Sequence, residues 1–246
     1  MLFRSIKNVH HVRLLAWLLK DRISTDAWTI LNQFNHQFSA PPPAEPLRLS
    51  GAQDLLDSAV MSLSAFSGVV MEGMTRGHGW RFLDIGRRLE GAYQTVELIR
   101  YGLGFRPDPA SGRLETLLDM ADSSLTYRSR YLTAMQADLV LDLLLLDEGN
   151  PRSAAFQLAR LREHVDQLPE SQSRSRRPVE ARLALSLVTS VQLAEIQELV
   201  RPDAEGRWSN LETLLNRLAS DLRLLSETLT RVYFSHSIPS RQLSAP

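Results

Sequence analysis

A chain of 246 residues, 43% hydrophobic and 23% charged, has globular composition and enough length to bury roughly 70–75% of its unfolded surface. Lys plus Arg and Asp plus Glu both number 28, and a net charge of zero argues against nucleic acid or an anionic membrane as the main partner. Cys is absent, which removes disulfide scaffolds, thiolate metal sites and thiol nucleophiles.

The first three residues are too few for the apolar core of a signal peptide before Arg4 and Lys7 interrupt them. No uninterrupted apolar run approaches the ~20 residues that a membrane span needs. The expectation is a cytoplasmic protein.

Apolar spacing is helical almost throughout. Residues 1–38 hold two helices, the first marked by Ile6, Val9, Leu14 and Trp17. Ser24 reads as the N-cap of the second, ahead of Trp28, Leu31 and Phe34. Residues 39–50 contain Pro41, Pro42, Pro43 and Pro46 and read as a stiff linker. The main bundle is expected over 51–237, starting with a helix from Gly51 to Met74. Phe82, Ile85, Leu89, Ala92, Val96, Ile99 and Leu103 alternate spacings of three and four, a heptad seam for lengthwise packing. On that helix Asp84, Arg87 and Glu90 point away from the seam. They read either as a solvated face with surface ion pairs or, since Trp80, Leu83 and Leu98 lie on the same side, as part of a second packed surface.

Ser111 opens a short helix with Leu114, Leu117, Leu118 and Ala121 as its apolar face. Leu139 to Leu146 is apolar except for Asp142. Leu dominates over Val and Ile, and no alternating strand is present to pair with it, so it reads as a buried helix. Asn150 followed by Pro151 reads as cap and first position of a helix reaching about Val165. Residues 169–178 form a polar loop. Two long helices follow, Val179 to Val200 and Arg207 to His236, and residues 238–246 are an expected disordered tail. The fold class is all-α, a multi-helix bundle with mostly antiparallel helices.

The common chemical motifs are missing. There is no phosphate-binding GxxxxGK[ST] loop, GxGxxG, HExxH or GxSxG, and no Glu lies three residues before a His. No metal and no cofactor is therefore expected, with a metal site assembled across helices as the open alternative. Three polar clusters remain. One runs from Glu72 through His78 to Glu90 and contains Arg87. Another spans Asp122 to Tyr131, with Tyr127, Arg128 and Arg130. The last holds Asp142, Asp147, Asn150 and Arg152. Arg forks amid hydroxyls suit a carboxylate or phosphate, or a polar helix junction. Asp142 inside a Leu run needs a partner, and Arg128 or Arg130 is the candidate.

Taken in order, the stretch from Glu72 to Glu90 (EGMTRGHGWRFLDIGRRLE), Ala121 to Tyr131 (ADSSLTYRSRY) and Leu143 to Ser153 (LLLLDEGNPRS) resemble the motifs of the bacterial alpha-E domain family. Trp28 with Asn32 is similar to its early helix and Tyr233 to His236 to its ending. The resemblance covers almost the whole chain. It implies an all-helical domain encoded beside, or fused to, a circularly permuted ATP-grasp ligase, often with a transglutaminase-like protein nearby. The chain departs from that pattern twice. It lacks the family's opening helix, and Gly91 follows Glu90 where the family often has Arg.

The reading that results is an accessory domain of an ATP-grasp peptide or amide ligase. Arg87, Glu90, Tyr127, Arg128 and Arg130 would form one polar pocket, with Asn150 and Arg152 as further binding residues, that holds a peptide or carboxylate substrate or docks the ligase; Arg would clamp the anion and Glu90 receive an amine. The alternatives are an autonomous acyl- or amino-transfer enzyme with Glu90 or Asp142 as general base, and a purely structural helical homo-oligomer.

Overall fold

The computed structural model describes residues 11–39, 49–105, 111–169 and 177–234. Every regular element among them is helical, and the chain divides into two compact units, Met1–Trp80 and Arg81–Pro246. Most of the expected linker and all of the expected tail lie outside the described residues.

In the first unit, α1 (residues 11–18) and a 3-10 turn at Lys20–Arg22 precede α2 (Thr25–Ser39) and α3 (Leu49–Gly73). The Ser24 hydroxyl accepts the Ala27 N–H at 3.2 Å, so Ser24 caps α2. Helix α2 packs along α3, with Ala27, Leu31, Ala59 and Val70 buried and Gln37 Nε2 donating to Ser58 Oγ at 2.7 Å. Leu56, Val60, Met61 and Leu63 of α3 are exposed. By length and composition Ser50–Gly73 could cross a membrane, with mean hydropathy 1.3 over a window only 11% buried.

The division between the units falls in the first turn of α4 (His78–Leu103). Ile85, Ala92, Val96, Ile99 and Leu103 are buried in the core of the second unit, as the heptad spacing requires. Then follow α5 (Ser111–Met120), α6 (Ser124–Tyr131), α7 (Ala137–Leu141), α8 (Ala154–Asp166), α9 (Val179–Gln192), α10 (Ile196–Leu199) and α11 (Ser209–Tyr233). Helix α9 packs against both α8 and α11.

Two local expectations are corrected, one open alternative is decided and one is refined. Asp84 is not solvated: it is 2% exposed, because α4 is covered beside its seam as well as along it. The apolar run is helical and buried, but Asp142–Leu146 is a π turn in which Asp147 N–H donates five residues back to Asp142 O at 3.0 Å. Ser153, not Asn150, caps α8, its Oγ accepting from Phe156 N at 3.0 Å. Asn150 is buried and occupied elsewhere: Nδ2 donates to Leu143 O at 3.0 Å and Oδ1 accepts from Arg152 N at 3.0 Å. Finally, the helix expected over 179–200 stops at Gln192 and restarts as α10. Val188 and Val191 are buried, so an unbroken helix would place Glu195 on the same inward face. The break leaves Glu195 exposed and still buries Leu199.

Candidate functional site

Helix α4 carries the densest polar network. Asp84 Oδ2 receives Arg88 Nε at 3.1 Å and His164 Nε2 at 2.8 Å, while Arg87 Nη1 lies 3.6 Å from Oδ1. Burial by itself pushes the Asp84 carboxyl up. The His164 hydrogen bond and the charges of Arg88 and Arg87 outweigh it and hold the group below the usual carboxylate range. A carboxylate only accepts, so the His164 proton toward it sits on Nε2. Arg88 Nη1 also donates to Gln157 Oε1 at 3.2 Å, and Gln157 Nε2 donates to Pro151 O. Thr95 Oγ1 donates to Arg152 O at 3.0 Å. These bonds tie α4 to α8 and to the turn before it. His164 has no spacing signature in the sequence; only the packing of α4 on α8 brings it to Asp84.

A second polar site surrounds the π turn, where Arg130, Asp142, Asp147, Glu148 and Gln192 line an open cleft of about 430 Å³. Arg130 pairs with Asp147, whose Oδ1 also accepts Gly149 N at 2.9 Å. The hydrogen bond to Asp147 raises the guanidinium pKa. Gln192 Nε2 donates to Glu148 Oε1 at 2.7 Å. Asp142 finds its partner in Tyr131, not in Arg128 or Arg130: Tyr131 Oη donates to Asp142 Oδ2 at 2.7 Å. Burial, then that hydrogen bond and the Asp142 charge, push the Tyr131 phenol up to about 12. Three carboxylates against one guanidinium give the cleft a field that favours an ammonium group.

Glu90 lies elsewhere, with Gly86, Tyr93 and Arg223 along a groove of about 330 Å³ between α4 and α11. It is exposed, and its Oε1 accepts Gln94 Nε2 at 2.6 Å. Arg223 donates to Tyr93 Oη and stands over its ring, 5.0 Å from the centroid.

Of the sequence candidates, then, Arg130 and Asp142 share one cleft, and Glu90 sits in another groove. Arg87 is beside Asp84, with 41% of its side chain exposed. Arg128 reaches only to 4.0 Å from Glu115, both exposed. Arg152 Nη2 pairs with Asp122 at 2.6 Å on the surface. Tyr127 is 1% exposed; its hydroxyl donates to Ala134 O and accepts from Gln136 N, both at 3.1 Å, and so clamps the loop after α6. Tyr127 and Asn150 are buried, and their side chains hydrogen-bond to this chain's own backbone. Among the described residues no cluster of three His, Asp or Glu side chains could hold a metal.

Two uncharacterised proteins, one from Mycobacterium tuberculosis and one from Mycobacterium bovis, are each 30% identical to the chain over 233 residues. The match covers 92% of this chain and 26% of the relative, so the chain spans about a quarter of the length of these curated relatives. No solved structure matches. A family described as a predicted alpha-helical domain with a conserved ER motif matches residues 5–234. In this sequence no Glu is followed by Arg; Gly91 follows Glu90. A Cβ at position 91 would stand 3.1 Å from Gln157 Cδ, so the Gln held by Arg88 fills the room a side chain there would need. With the match running over nearly its whole length, this chain belongs to the Alpha-E family.

Proposed function

We propose that the chain is the helical accessory domain of a circularly permuted ATP-grasp peptide or amide ligase, acting in the cytoplasm. It holds a charged peptide or carboxylate substrate, or docks the ligase, and leaves the chemistry to its partner. The observation that carries this reading is the state of the candidate side chains. Arg87, Glu90, Arg128, Arg130 and Arg152 are all exposed, each beside a partner from this same chain, and spread over several elements. Such a surface recognises charge. A general base needs a defined proton within hydrogen-bond reach and a tuned pKa.

Two further facts support it. The matching segment is 26% of each mycobacterial relative, so there the domain works within a much longer polypeptide. The cleft at the π turn offers Asp142 and Glu148 to an ammonium and Arg130 to a carboxylate, the two ends of an amino acid or peptide. A transglutaminase-like protein is a second partner on this reading.

The test is to tag the native locus, purify gently and read intact masses. Recovery with an ATP-grasp protein, or as one chain fused to it, is the expected result. Recovery alone, or only as a homo-oligomer, overturns the ligase reading. The autonomous-enzyme alternative survives only if the purified chain turns over without the ligase and loses that activity in Glu90→Gln or Asp142→Asn.

A further inference from the structure

Helix α9 turns one stripe of side chains, Arg182, Ser186, Thr189 and Leu193, toward Leu214 and Arg217 of α11, across an open groove of about 540 Å³. The spacings four, three and four put the α9 residues on one helix face. The lining contains two arginines and no carboxylate, the reverse of the acidic cleft at the π turn.

We propose that this groove binds a small oxyanion, a carboxylate or a phosphate monoester, carried on a short aliphatic body. The site is separate from the surfaces invoked for the ligase and does not depend on that reading.

The donors are available. Among the described residues no side chain pairs with the Arg182 guanidinium, which is exposed. Arg217 makes only long contacts: Nη2 is 3.3 Å from Ser186 Oγ, and Nε is 3.6 Å from Asp221, with 59% of its side chain exposed. A guanidinium has five N–H donors, so most of Arg217 remains open to a ligand. Ser186 accepts from Arg217 and keeps its own O–H to give. Ser190 donates to Ser186 O at 2.8 Å and offers only lone pairs.

An apolar body has a place beside the head group. Leu185, Leu193 and Leu214 line the same groove, and Leu193 is 76% exposed where α9 ends. The volume falls in the range usual for small-molecule sites, about 300–1,000 Å³. The two guanidiniums on facing helices outnumber the one carboxylate near them, Asp221 at 3.6 Å from Arg217 Nε, so the groove disfavours an amine.

The test titrates the 246-residue chain with hexyl phosphate, hexanoate, inorganic phosphate, hexanol and hexylamine, read by calorimetry and by amide chemical shifts at Ser186 and Thr189. Hexyl phosphate, hexanoate or both should bind and move those shifts, and the preference between them identifies the head group. Inorganic phosphate should bind about tenfold more weakly for want of the Leu contacts. Arg182→Gln, at an exposed and unpaired side chain, should keep the fold and weaken the preferred anion about tenfold. Arg217→Gln should do the same, with circular dichroism confirming helicity. The proposal is overturned if neither anion binds, if hexanol or hexylamine binds as tightly, or if Arg182→Gln binds as well as the parent chain.

Discussion

Asp84 and His164, 80 positions apart in the chain, meet at 2.8 Å where α4 lies against α8. The carboxylate is 2% exposed and ties two cations and an imidazole into one network. A charge buried this deeply is tolerated because Arg88 and His164 hydrogen-bond Oδ2 and the Arg87 cation lies 3.6 Å from Oδ1, which has no hydrogen bond of its own; removing it strands them.

Asp84→Ala should therefore destabilise the second unit by about 3 kcal/mol, measured by urea unfolding at neutral pH. The depressed Asp84 carboxyl also predicts a pH dependence. Its contribution is fully present above the unfolded value of about 3.9 and is lost as pH falls through the lower folded value. Asp84→Asn should flatten the acid limb of the stability curve. An unchanged acid limb would show that the network adds nothing to folding.

The Tyr131–Asp142 bond predicts the opposite sign at alkaline pH. A phenol raised to about 12 favours the protonated, folded form. Its contribution is fully present below the unfolded value of about 10 and fades as pH climbs toward 12. Ultraviolet titration of tyrosinate should show less late-ionising absorbance in Tyr131→Phe than in the parent chain. Equal late-ionising absorbance in both would refute this assignment.

Ser153 does two jobs, accepting Phe156 N at 3.0 Å and donating to Asp147 O at 2.5 Å. Ser153→Ala should cost about 1–2 kcal/mol from the lost cap and the orphaned carbonyl. Asn150→Ala should cost about 1–3 kcal/mol, because the buried Leu143 carbonyl loses its donor. The same chemical-denaturation assay compares the two. If Asn150→Ala were neutral, the π turn would not need that side chain.

At Gly91 helix propensity and packing compete. Ala is favoured over Gly inside a helix by about 1 kcal/mol, but its Cβ would stand 3.1 Å from Gln157 Cδ. Gly91→Ala should be close to neutral in the parent chain. In a Gln157→Ala background it should stabilise by about 0.5–1 kcal/mol. A double-mutant cycle measures the difference, and additive effects would mean that Gln157 yields without cost.

Much of the fold was legible because helical periodicity is local. The spacing from Phe82 to Leu103 marks the buried seam of α4, and Ser24 announces the start of α2. The buried helical run before Asp147 also follows from its composition. The cap of α8 was misplaced by three residues. Asn and Ser both cap well, and only the π turn decided that Asn150 would serve Leu143 while Ser153 faced Phe156.

The sequence by itself determined an all-helical chain, its main helices and its family, since each follows from residue type and spacing along one strand of polymer. It also identified the polar residues that stand out from a Leu-rich body. Tertiary structure alone decided which of these meet. Periodicity reports that a helix face is apolar, but not whether a polar flank is covered by another helix. Asp84 therefore read equally as solvated or covered until α8 brought His164 to it. Asp142 looked to an arginine until the turn of α6 presented Tyr131. Partner choice for a buried charge depends on distances across the chain, and those exist only once the helices have packed.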